Sequence, residues 1–301
     1  MAKSRILITG SSGMLGVDLS KELRKTYDLF GADILKANRS NIRDQKYFNC
    51  DIADRKQIAA VMGKIRPDMV VHTAAWTDVD GCEFDRNRAY RINTIGAKNV
   101  ALACKSSGAK LIYISTDYVF DGKKKKPYTE SDETNPLSVY ADSKLKGEAA
   151  VRKALREYFI LRTGWLYGKY GKNFVDTIAA KAKIDGTLKV VDDQVGSPTY
   201  TVDLAKAMRA LINSTVQYSG FRAEDYGIYH VSNAGSVSWY QYAKAIVKIL
   251  GIRTKILPIS SKELDRPARR PAMSAMDSSK FENITGYRMR GWKNALLEYL
   301  G

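Results

Sequence analysis

A tyrosine and a lysine four positions apart on a helix share one face. The pair suits proton transfer at a carbonyl oxygen, because a nearby ammonium stabilises the phenolate left when a phenol of ordinary pKa about 10 gives up its proton. The pattern Tyr-x-x-x-Lys occurs at Tyr140/Lys144 and again at Tyr240/Lys244. With 18 tyrosines in the chain and roughly one residue in ten a lysine, about two such pairs are expected by chance, so spacing alone does not choose between them. Context does. Tyr140 opens a predicted helix after Asn135-Pro136-Leu137-Ser138, downstream of a strand that runs into Ser115-Thr116-Asp117. The carboxyl ends of parallel strands are where such folds bind ligands, and Thr116 adds a hydroxyl for a substrate oxygen. Tyr240 lies in the aromatic run Trp239-Tyr240-Gln241-Tyr242, which reads as a packed helix without such a partner. Thr116, Tyr140 and Lys144 are therefore the catalytic candidates, and ketone reduction by hydride is a chemistry they suit, since it needs a proton donor and no metal.

A second constellation supplies the hydride carrier. Thr9-Gly10-Ser11-Ser12-Gly13-Met14-Leu15-Gly16 follows the first strand and opens the first helix. Gly10 serves the tight turn, Gly13 lets backbone approach a pyrophosphate, and Gly16 permits close helix–strand packing. The amides around Ser12, Met14 and Leu15 then point at the phosphates, aided by the helix dipole. Asp33 ends the second strand, where a carboxylate accepts hydrogen bonds from an adenosine ribose and favours NADH. Lys36 and Arg39 follow closely and could instead pair with the 2′-phosphate of NADPH, so the choice between the two cofactors stays open. Asp51 and Ile52 follow the third strand on the adenine side. Ala74-Ala75, running into Trp76 and Thr77, are small enough after the fourth strand for backbone to approach the cofactor.

The elements that must position these residues alternate. Ile6-Leu7-Ile8, Leu29–Ala32, Met69-Val70-Val71, Leu111–Ile114 and Phe159-Ile160-Leu161 read as buried parallel strands. Helical spacing fills 14–26, 54–65, 83–107 and 138–155 between them. The implied fold is α/β, a Rossmann-type doubly wound parallel sheet, with a smaller mixed C-terminal substrate-binding lobe. We expect the dinucleotide-binding domain over 1–168 and mainly the lobe over 169–301, with a return to the first domain around 196–235. At 301 residues, 45% hydrophobic and 27% charged, the composition is that of a globular protein.

The net charge of +17 is spread along the chain without a nucleic-acid-binding motif, so phosphate-bearing small ligands explain it better than nucleic acid. No 18-residue apolar run suggests a membrane span. The chain enters a strand at once without a secretory pattern. Cys50, Cys82 and Cys104 are odd in number and scattered, which suits reduced thiols in the cytoplasm. With only His72 and His230, no histidine-rich metal site is expected.

Taken together, Thr9-Gly10-x-x-Gly13-x-x-Gly16, Thr116 and Tyr140-x-x-x-Lys144 resemble the extended short-chain dehydrogenase/reductases. Within them the chain resembles the dTDP-4-dehydrorhamnose reductase family. The matching stretches are Ala74–Asp80, Ser115–Gly122, Leu161–Gly168 and Asp193–Thr199, with Arg270-Pro271 and Ser274 later in the chain. The resemblance implies reduction of the C4 ketone of a dTDP-linked deoxyhexulose to dTDP-L-rhamnose. It gives Tyr140 as proton donor, Lys144 as the group that lowers the tyrosine pKa and holds the nicotinamide ribose, and Thr116 and Asp117 as sugar contacts. Trp165 would wall the sugar pocket, with Gln194 and Arg270 as further substrate contacts, the latter to the diphosphate. Some members bind magnesium through paired acids at a dimer interface. That pairing has no clear counterpart here, so a homodimer is left open and no metal is assigned. Dehydratases of this superfamily carry Asp-Glu after the threonine, whereas Tyr118 follows Asp117 here. A reductase or epimerase for another nucleotide-4-ketosugar stays open, as does a non-catalytic NADP-binding subunit resembling the methionine adenosyltransferase β subunit.

Overall fold

Seven parallel strands, most of them apolar on both faces, form the centre of the molecule. In the computed structural model, which describes residues 3–35, 45–217 and 222–301, the chain begins with β1 (Arg5–Thr9), α1 (Met14–Leu23), β2 (Asp28–Asp33), β3 (Lys46–Asn49), α2 (Arg55–Ile65) and β4 (Met69–His72). A broken helical stretch follows: α3 (Val79–Phe84), α4 (Arg86–Tyr90), a π-helical turn over Arg91–Gly96, and α5 (Ala97–Ser107). Then come β5 (Lys110–Thr116), α6 (Val139–Ala154), β6 (Tyr158–Thr163), β7 (Leu166–Tyr167), α7 (Phe174–Ala182), β8 (Thr187–Val191), β9 (Val195–Gly196), β10 (Thr199–Tyr200) and α8 (Thr201–Gln217). The last third holds β11 (Gly227–His230), β12 (Val237–Ser238), α9 (Trp239–Ile249), β13 (Lys255–Ile259), α10 (Ser261–Leu264), α11 (Ser279–Thr285) and α12 (Trp292–Leu300).

The main sheet has the order β11-β6-β5-β4-β1-β2-β3, and every pair in it is parallel. Successive residues of a strand face opposite sides, which is why the strands read as unbroken apolar runs. Ile6, Ile8, Met69, Val71, Ile112 and Ile114 pack on one side against Leu15, Leu19 and Leu23 of α1 and Leu204, Met208 and Leu211 of α8. Leu7, Val70, Leu111, Tyr113 and Ile160 pack on the other against Ile58 and Met62 of α2, Val100 and Cys104 of α5, and Val151 of α6. The fold is a doubly wound parallel sheet. Residues of α8, β11 and α11 join its core from the second half of the chain, as Leu204, Tyr229 and Phe281 show.

A separate apolar cluster joins α7, β8, α9, β13 and α12 through Ile178, Leu188, Ile246, Ile256 and Leu296. Its strands pair in twos: β13 with β8 and β10 with β7 in parallel, β12 with β9 antiparallel. The single helix expected over 83–107 is interrupted. Asp85 caps α4 by accepting the Arg88 N–H, and the π turn widens the helix at Asn93. That buried side chain accepts the Trp76 N–H at 2.9 Å and donates to the Trp76 carbonyl at 3.1 Å. The interruption thus ties the helix to the segment after β4. π turns recur at functional sites. No helix among the described residues is long and apolar enough to cross a membrane.

Candidate active site

The carboxyl ends of β1, β2, β4, β5 and β6 open into two adjoining hollows. One, of about 460 Å³, is lined by the phosphate-loop residues Gly10, Gly13, Met14, Leu15 and Gly16, and by Thr116, Asp117, Tyr140, Lys144 and Trp165. The other, of about 560 Å³, is lined by Ser12, Asp33, Asp51, Ile52 and Ala74 to Thr77. Gly10, Gly13, Met14, Thr73 and Lys172 border both, so the two form one continuous groove. Of the expected cofactor contacts only Arg39, with its neighbour Lys36, falls outside the described residues.

The phosphate loop fits a dinucleotide. Gly10 has φ +72°, and a Cβ there would lie 2.6 Å from the Ala74 nitrogen, a conformation and approach that only glycine tolerates. Gly13 precedes α1 without a side-chain cap, and the first turn of α1 carries no acid, leaving its amides and positive dipole end to an anion. Asp33 reaches back from β2 to accept the Ser12 N–H at 3.1 Å. Asp51 accepts the Ala53 N–H at 2.9 Å and pairs with Arg91 at 3.3 Å.

The catalytic candidates meet at the end of β5. Ser138 caps α6 by accepting the Ala141 N–H, and the helix then places Tyr140, Lys144 and Glu148 on one face. All three are buried. Lys144 Nζ donates to the Ile114 carbonyl at 2.6 Å and lies 4.2 Å from the centre of the Tyr113 ring. Burial pulls the Lys144 ammonium down to about 7, with the Glu148 carboxylate opposing the fall. Burial pushes the Tyr140 phenol well above its ordinary value, a rise opposed by a hydrogen bond with Thr116 and reinforced by Asp117. Among the protein's own groups desolvation dominates, and the Lys144 contacts go to Ile114 and Tyr113.

Asp117 is buried beside them. Its Oδ1 accepts the Thr116 hydroxyl at 3.1 Å. Burial lifts its carboxyl to about 7, against hydrogen bonds from Ser274 and Thr116. Glycine is needed opposite it, since a Cβ on Gly164 would fall 2.4 Å from the Asp117 carboxyl carbon.

Trp165 walls the pocket with its backbone at φ +50°, a strained conformation for a bulky residue. Its ring stacks on Trp239 with centroids 3.3 Å apart and planes 2° from parallel. Gly196 lets β9 pass behind, where a Cβ would sit 2.4 Å from the Trp165 ring.

Two of the expected substrate contacts do not line the groove. Gln194 donates to Ser261 Oγ at 2.8 Å. Arg270 grips Asp80 bidentately at 3.0 and 2.9 Å and also donates to the Ala268 carbonyl at 2.8 Å. Conversely, Thr73, Lys172 and Trp239 line it without having been singled out. Trp239 lay in the aromatic run read as packed helix, and nothing in its spacing separates it from Tyr242, which is core. Lys172 follows Gly168 in a short polar loop, a signal too common to act on. Tyr240 and Lys244 do stack on each other at 5.2 Å, but away from the groove. Among the described residues no group of three or more metal-ligating side chains converges, and the three cysteines are buried free thiols.

A parallel sheet with a glycine-rich β1–α1 turn, and a threonine, tyrosine and lysine gathered at the end of β5, define an extended short-chain dehydrogenase/reductase. The chain matches the RmlD substrate binding domain family over residues 4–301 and belongs to that family. It is 39% identical over 297 residues to the spore coat polysaccharide biosynthesis protein SpsK of Bacillus subtilis, covering 99% of this chain and 97% of that one. It is also 39% identical over 299 residues to a dTDP-4-dehydrorhamnose reductase of Mycobacterium tuberculosis, covering 97% and 91%. The crystal structure of the Bacillus anthracis dTDP-4-dehydrorhamnose reductase in complex with NADP matches with a TM-score of 0.88 at 39% identity, covering 99% of each chain.

Proposed function

We propose that this chain is an NAD(P)H-dependent oxidoreductase that reduces the C4 ketone of dTDP-4-dehydrorhamnose to give dTDP-L-rhamnose. The observation that carries this reading is the burial of Thr116, Tyr140 and Lys144 in one hollow that runs directly into the phosphate loop. When bound along the groove, NAD(P)H supplies the hydride that turns the ketone carbon into an alcohol carbon. The chain's own residues bind, orient and protonate. Gly10 to Gly16 hold the pyrophosphate, and Asp33 faces the adenosine ribose. Thr116 and Tyr140 hydrogen-bond the ketone oxygen, and Tyr140 donates its proton there.

A buried phenol kept protonated serves as this acid, because an alkoxide developing at C4 is a far stronger base than a phenolate. The phenolate left behind is stabilised by Thr116 and the Lys144 ammonium and regains its proton from solvent. Asp117 and the Trp165–Trp239 stack orient the sugar and keep water from the reacting face. The sheet and its helices form the cofactor domain, and the cluster of α7, β8, α9, β13 and α12 forms the substrate lobe. We assign Arg270 and Gln194 to building the wall of the site rather than touching the nucleotide sugar. The enzyme works in the cytoplasm on a nucleotide-sugar substrate.

The test is NADPH and NADH oxidation by the purified protein with dTDP-4-dehydrorhamnose, followed at 340 nm, with the product identified by chromatography against dTDP-L-rhamnose. Absence of cofactor oxidation with this substrate, while cofactor still binds, would refute the reading.

A further inference from the structure

Beneath the catalytic pair lies a second set of buried charges that the chemistry above does not use. Glu148, two turns beyond Tyr140 on α6, and Arg162 of β6 are 2% and 3% exposed. Glu148 Oε1 accepts from Arg162 Nε at 3.0 Å, and Oε2 accepts from Arg162 NH2 at 2.8 Å. A buried ion pair seldom stabilises a fold more than apolar residues of the same volume would, because desolvating both ions offsets their attraction. Core stability alone therefore gives little reason for it. The third partner is more informative: Ser115 Oγ donates to Glu148 Oε1 at 2.5 Å. Ser115 lies between Ile114, whose carbonyl receives Lys144, and Thr116.

We propose that Glu148, held by Arg162, is a positioning residue for the reaction: its carboxylate fixes the Thr116 end of β5 through Ser115 and sustains the charge of the Lys144 ammonium one helical turn away. This deepens the reading above, since it rests on Lys144 being the cation that serves Tyr140. The groups facing Lys144 leave Glu148 as its source of negative charge. From β4 comes His72, which burial holds down at about 3 and so neutral. From β5 comes Tyr113, whose phenol burial raises well above its ordinary value. From α6 itself comes Tyr140, likewise protonated. Asp117 beyond β5 hydrogen-bonds Thr116 and Ser274. Arg162 of β6 is a second cation, whose charge Glu148 also answers.

The test follows the Lys144 side chain directly, by NMR of protein labelled at the lysine ε-carbons, with the Lys144 signal assigned through Lys144→Arg. In the wild-type protein that signal titrates near neutrality, matching the value of about 7. In Glu148→Gln it titrates at least about one pH unit lower, while Glu148→Asp, which keeps the charge, stays near wild type. The alkaline limb of kcat in Glu148→Gln moves down with it, and kcat at pH 8 falls about tenfold with the cofactor constant within about twofold of wild type. Should Glu148→Gln fail to fold with Arg162 left unpaired, Arg162→Gln decides instead: it removes the cation that competes for the Glu148 carboxylate, and the Lys144 titration rises above wild type. A Lys144 titration unmoved in whichever variant folds overturns the proposal and leaves the pair a structural one. Absence of wild-type turnover would refute the reaction proposed above without touching this outcome, because the titration needs no substrate.

Discussion

Removing Asp80 separates two uses of Arg270. Asp80, at the start of α3, receives both arms of the Arg270 guanidinium, a third bond from Arg266 at 3.0 Å and the Ala268 N–H at 3.2 Å. The Asp80 and Arg270 side chains are 17% and 16% exposed, whereas Arg266 is 56% exposed. An exposed pair contributes about 0.2–1 kcal/mol, and breaking a fully buried one costs about 3–5 kcal/mol. The bidentate geometry and partial burial place Asp80→Ala between these, at about 2–3 kcal/mol, with Arg266 adding little through solvent screening. For a chain of this size that lowers Tm by about 5 °C.

The latch anchors a strap that also pairs with β9, through the Ala272 carbonyl and the Ser274 N–H on Val195, both at 2.8 Å. Ser274 in turn reaches Asp117. Loosening the strap should raise the substrate KM about three- to tenfold and leave the cofactor constant alone. The assay is a double-mutant cycle of Asp80→Ala, Arg270→Ala and the pair, read by thermal unfolding and by initial rates. A structural latch gives a coupling of about 1.5–2 kcal/mol and similar KM changes in both single variants. Coupling below about 0.5 kcal/mol, with KM raised about 10- to 150-fold in Arg270→Ala alone, would instead show a guanidinium that binds the substrate diphosphate and refute this reasoning. The pH dependence has a sign. Burial acts to raise the Asp80 pKa, but the bonds from Arg270, Ala268 and Arg266 outweigh it and hold the carboxyl below its ordinary value. Its contribution is thus present above pH about 4 and disappears as pH falls through the depressed value, so wild type and Asp80→Ala converge in stability in acid.

The remaining predictions concern the groove. Tyr140→Phe should keep the fold and cofactor affinity but lose at least about 100-fold in kcat, while Tyr240→Phe leaves it nearly unchanged; equal losses would show that Tyr140 and Lys144 are not the catalytic pair. Asp33→Ala should weaken NADH more than NADPH in fluorescence titrations, because the carboxylate is a ribose partner for one and repels the 2′-phosphate of the other. Gly164→Ala would drive a methyl to 2.4 Å from the buried Asp117 carboxyl and should reduce kcat about 30-fold or more with a lower Tm. Wild-type rates in that variant would show that Asp117 has room to move without consequence.

How legible each residue was depends on whether its role is local. The phosphate loop and the Tyr140/Lys144 face are written within eight residues or fewer, and their positions follow from strand–helix alternation, which the apolar runs of β1, β4 and β5 make plain. Arg270 shows the other case. A guanidinium matches a carboxylate and a diphosphate with the same fork, so its chemistry names a class of anion but not which one. The carboxylate it holds is 190 residues earlier in the chain, and only the fold brings them together. Trp239 is similar: its aromatic run reads as packed helix, and Trp165, expected at the pocket wall only through the family resemblance, is not spaced to announce it. What joins them is the bare face of Gly196 and the backbone of Trp165 held at positive φ. The positive φ strains any residue except glycine, so keeping a tryptophan there, stacked flat on a second one, is costly for packing alone. The pairing makes physical sense as a rigid apolar wall facing the groove that carries Tyr140. The residues hardest to read from the sequence are therefore those that shape the substrate side, where each role is completed by a partner the chain supplies from far away.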